Sequence, residues 1–369
     1  MSLSYDEMKL KLIQACDSYY NKSFSFITDK EFDDLKDAFK EQYPDDPFLK
    51  TIGAPVPEAS DWSKVKHSIP MCSCNKVKTV DEFIDWCASN RFDADTALIT
   101  SEKLDGMSLS IDYINGKLVN GITRGDGFIG EAITQNVIKM QNVKVNLDNK
   151  YTGSLRGEVL LNKNDFKAVN LICEARGEKG FQNIRNGASG IAKRYDSKYS
   201  EYLYVRYYYA SGDFKTKSEM YQFIESLGLK TCKHFSGNFE TSKIVYNEYE
   251  QSIRAGLDHA IDGLVIEPDN IETLNDLGML NENLRGQIAW KFTSETAMTK
   301  IKDIVWQLGN SSRITPVAIL ETVELNGVNI SRATMHNLDI FEKLKPYKGA
   351  TCLISRRGDV IPFIEKVYP

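Results

Sequence analysis

At 369 residues, the chain is longer than one ordinary hydrophobic core supports, and two or three domains are expected. Its formal net charge of −5 excludes a simple basic protein that coats nucleic acid by charge alone, though not an enzyme whose lysines and arginines gather on one face. Seven scattered cysteines fit no disulfide framework. Cys72-x-Cys74 lacks the spacing of a zinc half-site, so a reduced chain without structural zinc is expected. No run of about eighteen apolar residues occurs, so no membrane span is expected, and the N-terminus has no signal-peptide pattern.

Residues up to about Pro57 read as helical. Met8, Leu12 and Ile13 recur at helical spacing, and Thr28-Asp29 resembles an N-cap opening a helix over Lys30–Tyr43. Pro44, Pro47 and Gly53-Ala-Pro55 break the pattern and mark a boundary. From about Asp61 to Met298 helices mix with short alternating segments. MSLSIDYINGKLVNGITRG reads as a β-hairpin about Asn115-Gly116, and TGSLRGEVLL and AIDGLVIEP read as strands. This is an α+β arrangement rather than a βαβ repeat. After Met298 come DIVWQLG, TPVAILETVEL, ATCLISRRG and VIPFIEKV, interrupted by a helical ATMHNLDIFEKL. That order suits a small Greek-key barrel of the OB type. The expected domains are a small helical one over 1–58, an antiparallel α+β one over 59–298, and the barrel over 299–369.

Lys103-Leu-Asp105-Gly106 is the pattern of covalent nucleotidyl transfer, in which a lysine amine attacks an α-phosphorus. Such an amine must shed its proton, so burial or cationic neighbours are expected to lower its pKa. Its aspartate and a Mg2+ would orient the phosphate oxygens. The three-residue match is weak alone. Thr123-Arg124-Gly-Asp-Gly-Phe-Ile-Gly-Glu131, Arg156-Gly157-Glu158, Asp262-Gly-Leu-Val-Ile and Ala289-Trp-Lys291-Phe292 follow it in order, and this joint order is what outweighs a chance match.

These segments resemble the NAD+-dependent DNA ligase family, through TRGDGxxGE, FQNIRNGASGIAKR and HSIPMCSC. The resemblance runs forward into ITPVAILETVELNGVNISRATMHN and SRRGDVIP and back to YYNKSFSFITDKEFDDL, covering nearly the whole chain. It implies a helical domain for nicotinamide mononucleotide, an ATP-grasp-like adenylation domain and an OB domain. It also implies a replication and repair enzyme that uses NAD+ as AMP donor, Mg2+, and nicked double-stranded DNA. Lys103 is then the nucleophile, Asp105 and Glu158 the metal-side carboxylates, and Lys291 a second catalytic lysine. Arg124 and Glu158 hold ribose and phosphate, Ser73 and Cys74 line the adenine pocket, and Tyr209 stacks on the base. Glu102, Arg185 and Arg254 fall near the nucleotide and the nick. Tyr19, Asp29, Phe32 and Asp33 fall where the family clasps nicotinamide mononucleotide. Arg185, Lys193, Arg194, Arg332, Arg356 and Arg357 are the candidate DNA contacts. A cytoplasmic location, in a bacterial or virus-infected cell, is implied as well.

Four departures stand out. Glu267 replaces a family lysine and puts a negative charge near the nucleotide, so either Lys291 acts alone, or Glu267 turns away, or the enzyme is slow. Tyr20 and Phe32 stand for the family's histidine and tyrosine. Ser101-Glu102-Lys103 shifts the family's acid by one position, which on a strand points it to the other face. The chain also stops at Pro369, without the zinc, helix-hairpin-helix and BRCT modules of longer members. A compact viral-type enzyme, one subunit of a split ligase and a truncated form all stay open. Two rivals are an RNA or ATP-using ligase, and a nick-binding or partner-dependent subunit with impaired catalysis.

Overall fold

Asn115 and Gly116 both take left-handed backbone, with φ of 51° and 78°, as a two-residue turn between right-twisting strands requires. They close the hairpin expected there. A computed structural model describes residues 4–21, 27, 29–50, 62–280, 283–293, 296–308, 314–325, 328–335, 338–357 and 361–368. The chain forms two compact units, Met1–Ser25 with Phe39–Phe292, and Phe26–Ala38 with Thr293–Pro369.

The N-terminal helices are α1 (Tyr5–Asn21) and α2 (Asp29–Gln42). Helix α1 buries Met8, Leu12 and Ala15, whereas Ile13 lies on its exposed side. The Tyr5 ring meets Phe39 and Tyr43, and the Tyr5 hydroxyl and the Lys9 ammonium both donate to the Asp46 carboxylate.

Three sheets follow. Strands β1 (Lys64–Lys66), β2 (Ser73–Val77), helix α3 (Val80–Ser89), β3 (Leu98–Leu104), β4 (Met107–Ile114), β5 (Lys117–Thr123), β6 (Ile129–Glu131), helix α4 (Thr134–Val137) and β7 (Gly153–Leu160) come first. Helices α5 (Lys163–Ala175) and α6 (Ile184–Ala192), strand β8 (Tyr204–Ala210), α7 (Lys217–Ser226), β9 (His234–Gly237), α8 (Phe239–Glu248), α9 (Arg254–Gly256), β10 (Ile261–Pro268), α10 (Ile271–Asp276), β11 (Met279–Leu280) and β12 (Asn283–Lys291) complete the unit. One sheet runs β11-β12-β10-β3-β9, with β2 parallel to β12. A second runs β5-β4-β7-β8, and β1 pairs with β6.

The core is anchored by stacked aromatics. Phe83 of α3 lies 4.5 Å from the Trp290 ring and 5.2 Å from Phe239, and Tyr246 stacks on Trp290 at 4.0 Å. Helix α3 begins where it does because Thr79 and Glu82 form a reciprocal capping box. Trp290 is thereby fixed, and with it the neighbouring Lys291, whose carbonyl accepts from the Tyr246 hydroxyl at 3.0 Å.

The other unit contains a closed barrel in the order β13-β14-β15-β17-β16. Its strands are β13 (Thr296–Leu308), β14 (Ile314–Leu325), β15 (Val328–Thr334), β16 (Thr351–Arg357) and β17 (Ile361–Tyr368), with α11 (Leu338–Leu344) between β15 and β16. Ile301, Leu320, Ile330, Ile354 and Ile364 fill its interior. The α+β class and the expected OB-type barrel are therefore present, the barrel with five strands where four were read. The helix read over ATMHNLDIFEKL is shorter than expected, because Ala333 and Thr334 pair with Ala318 and Val317 as the end of β15.

Candidate active site

Lys103 comes from a strand whose neighbours decide everything about it. On one side β10 runs antiparallel with Gly263 opposite Lys103, and β12 follows with Lys291 opposite Gly263. Paired residues share a sheet face, so the two lysines project on the same side. Asp262 closes the gap between them. Its carboxylate oxygens lie 2.9 and 3.0 Å from the Lys103 ammonium, and one lies 3.3 Å from that of Lys291.

Burial alone would pull the Lys103 pKa down, but the Asp262 carboxylate outweighs it and holds the amine well above its ordinary value. Burial likewise opposes ionisation of Asp262, yet the ammonium groups of Lys103 and Lys291 hold its carboxyl far below the usual range. The expectation of a lowered lysine pKa is thus reversed in the free protein. The Lys103 amine is held as an ammonium. Asp262 was visible in Asp262-Gly-Leu-Val-Ile, but that motif suggested only a strand, and its acid was assigned no duty.

Asp105, two residues on, is paired with the Arg185 guanidinium from the first turn of α6. Between them Gly106 lets the chain pass β7, since a Cβ there would sit 2.1 Å from the Val159 carbonyl oxygen. Glu158 of β7 accepts from the Gly106 amide at 3.1 Å and the Ser108 hydroxyl at 2.9 Å. Burial nevertheless pushes its carboxyl up to about 7. Oxygen donors of Asp105 and Glu158 are of the hard type that Mg2+ takes, usually one or two carboxylates beside substrate phosphates. Among the described residues no group of three metal-ligating side chains lies together.

The segment before the nucleophile frames the opposite side. His67 lies against the carbonyls of Thr123 and Arg124 at 3.1 Å, which ties HSIPMCSC to TRGDG. The Arg124 guanidinium then donates to the Ser73 hydroxyl at 2.8 Å and the Met71 carbonyl at 3.3 Å. Cys74 donates to the Gln287 carbonyl at 3.0 Å, and burial keeps that thiol protonated with a pKa of about 11. The half-buried Tyr209 ring has the Arg156 guanidinium 4.8 Å from its centroid and the Lys217 ammonium 5.9 Å away.

Other candidates fall elsewhere. Glu102 lies on the face opposite Lys103, accepting from Tyr249 at 2.9 Å with His259 at 3.5 Å, because strand neighbours alternate. It is not brought to the nucleophile. Lys193 pairs with Glu131 at 2.6 Å, and Arg194 with Asp196 at 2.9 Å and Glu178 at 3.3 Å. Arg254 lies over the Phe292 ring at 5.2 Å. Arg332 stands exposed on β15. Phe32 is half-buried and Asp33 buried on α2, while the side chains of Tyr19, Tyr20, Asp29, Arg356 and Arg357 lie outside the described residues. Glu267 shares the sheet face of Lys103 and Lys291 but lies four residues along β10 from Gly263, and its oxygens meet Lys217 at 3.1 Å and the Gln287 amide at 2.8 Å.

Comparison with known proteins completes this picture. The NAD-dependent DNA ligase adenylation domain matches residues 59–295, and the NAD-dependent DNA ligase OB-fold domain matches residues 298–369. A DNA ligase of Sorangium cellulosum is 36% identical, over 92% of this chain and 53% of its own length. One of Endomicrobium trichonymphae is 35% identical over 98% and 56%, and one of Fusobacterium nucleatum 33% identical over 95% and 53%. The chain spans about half the length of the curated relatives it matches.

Proposed function

The chain belongs to the NAD-dependent DNA ligase family, and on that premise we propose that it seals DNA nicks by carrying AMP from NAD+ on Lys103. The observation that carries this reading is the convergence of Lys103, Lys291 and Asp262 on one sheet face, beside the Asp105–Arg185 pair. Lys103 attacks the α-phosphorus, forming a P–N bond as the P–O bond to nicotinamide mononucleotide breaks and the ammonium protons leave. The AMP then passes to the 5′-phosphate of a nick, and the 3′-hydroxyl displaces it.

Asp262 orients the amine and, as a carboxylate held ionised by Lys103 and Lys291, keeps it protonated until the nucleotide's phosphates compete for those cations. Lys291 and Arg185 balance charge on the transferred phosphoryl group, one as a point charge and one as a planar fork. Arg124 with Ser73 faces ribose and phosphate, and Cys74 and Tyr209 border the base. Mg2+, held beside the phosphates by Asp105 and Glu158, supplies charge neutralisation when bound. The domain division near residues 58 and 298 gives the helical segment, with Tyr19, Asp29, Phe32 and Asp33, the nicotinamide mononucleotide half. Arg332, with Arg185, Lys193, Arg194, Arg356 and Arg357, contacts the phosphates of nicked duplex DNA without reading sequence. The partner-dependent reading loses its motive, since Lys217 balances the negative charge of Glu267.

Intact-mass spectrometry tests the first step. Incubation with Mg2+ and NAD+ adds one AMP to the full chain, ATP adds none, and Lys103→Ala adds none with either. No gain from a chain purified free of AMP refutes the proposal, and a gain with ATP alone moves it to the ATP-using class.

A further inference from the structure

The departure at Glu267 is coupled to its surroundings in a way that defines a second duty of the pocket. One residue beyond the Ile266↔Ile288 pair, the antiparallel register sets Glu267 beside Gln287, on the sheet face that carries Lys103 and Lys291. Glu267 and Lys217 are both almost wholly buried, with side-chain exposures of 3% and 7%, and their charges lie 3.1 Å apart. Helix α7 cannot shift away from them. Its Lys217 and Ser218 amides are bonded to Asp269 at 2.7 and 2.8 Å, and Thr216 with Glu219 caps it.

This buried pair dictates the orientation of an amide. The anionic half of an ion pair has no proton to donate, so only the NH2 end of Gln287 can face Glu267, as it does at 2.8 Å. The carbonyl end must then face the other way. There it accepts from Cys74, whose neighbour Ser73 is bonded to Arg124. Gln287 is half-buried, and stands four residues along β12 from Lys291, about 13 Å of strand. A nucleoside monophosphate whose phosphate met the Lys291 ammonium would extend its base toward this end of the strand. The Tyr209 ring flanks the same end through Lys217.

We propose that Gln287 is a specificity-determining residue for the donor's base, held by the buried Lys217–Glu267 pair with its carbonyl toward the pocket so that it accepts from an exocyclic amine. Adenine offers that amine. Hypoxanthine offers a carbonyl oxygen at the same place, and a Gln287 that flipped to suit it would set its own carbonyl against Glu267. Selection thus comes from a fixed acceptor and from the forbidden flip. Glu267 and Lys217 are positioning residues, since they act only through Gln287. The inference rests on reading this pocket as the seat of the adenylate.

Titration calorimetry of the full chain with AMP and with IMP, beside the adduct assay with NAD+, tests it. The wild type binds AMP at least about tenfold more tightly than IMP. Glu267→Gln permits the flip, so IMP binding improves and the ratio collapses. Gln287→Leu lowers AMP affinity with less effect on IMP, and serves if the buried substitution disturbs folding. Equal affinities, no detectable nucleotide binding, or a wild-type ratio in both variants overturns the proposal. An AMP preference without any NAD+ adduct instead overturns the nucleotidyl-transfer reading and leaves base selection standing.

Discussion

Replacing Asp262 by Asn should release the nucleophile from its stored state. Two ammonium groups lie about 3 Å from this carboxylate. At an effective dielectric near 20, each unit-charge pair at that distance is worth about 5 kcal/mol. Neutralising the acid removes that attraction from Lys103 and leaves Lys291 as a like charge nearby. With 1.36 kcal/mol per pKa unit, the lost attraction alone corresponds to about 4 units. Burial, no longer opposed, acts in the same direction. The Lys103 pKa should therefore fall from above its ordinary value to below it.

Amine-selective labelling with trinitrobenzenesulfonate, read peptide by peptide by mass spectrometry across pH 7–11, measures this, with exposed Lys139 as internal reference. In the wild type Lys103 labels only at the alkaline end. In Asp262→Asn its midpoint should move down by at least about 2 units, while Lys139 is unchanged. An unmoved Lys103 midpoint would refute the assignment of Asp262 as the group that stores the proton. The same variant should still lose adduct formation with NAD+, because an amine freed of its proton is also freed of its aim. Proton release and orientation are thus separable in one substitution.

Three further outcomes follow from local geometry. Glu158 titrates near its ordinary value in the unfolded chain and near 7 when folded, so folding takes up a proton between these. The group's contribution is therefore full below about 4.5 and lost as pH rises to about 7, a span of up to about 3 kcal/mol, and Glu158→Gln should flatten that part of the urea-denaturation profile. Gly106→Ala places a Cβ against the Val159 carbonyl and should cost about 2–3 kcal/mol, read as a lower Tm; an unchanged Tm would mean that β7 yields without cost. Phe83→Ala removes the ring between Trp86, Trp290 and Phe239 and should cost about 3–5 kcal/mol in guanidinium denaturation, whereas a loss under 1 kcal/mol would show that the cluster collapses to refill the space.

Much of this site was legible in the chain itself, because its groups sit within a few residues of a glycine or on alternating strands. Lys103, Asp105 and Gly106 form one unit, since only glycine passes the β7 backbone there. The hairpin at Asn115-Gly116 was legible for the same local reason. The facing of Glu102 followed from strand alternation, and its bonds to Tyr249 and His259 account for it. What the sequence hid was pairing at long range. Asp262 lies 159 positions from Lys103, and nothing local says that its carboxylate bridges two lysines. The partner of Glu267 was equally hidden: Lys217 is brought to it by α7, fifty residues earlier. The barrel strand over Val328–Thr334 was hidden, its last two residues falling in a segment that reads as helix, because its alternation is short and a helical segment follows it.

The two acids that looked alike in the sequence therefore have opposite tasks. Asp262 bridges cations that phosphate also attracts, so an incoming nucleotide competes directly for Lys291 and Lys103. Its ion pairs are built to be exchanged. Glu267 is buried, at 3% exposure, and already holds its cation Lys217 at 3.1 Å and the Gln287 amide at 2.8 Å. Breaking that pair would leave a buried charge, at a cost of several kcal/mol. On the proposed reading, one acid is thus a replaceable counter-ion that keeps the nucleophile protonated until substrate arrives, and the other is a permanent brace. A negative charge that on sequence grounds threatened the chemistry is compatible with it because Lys217 already neutralises it.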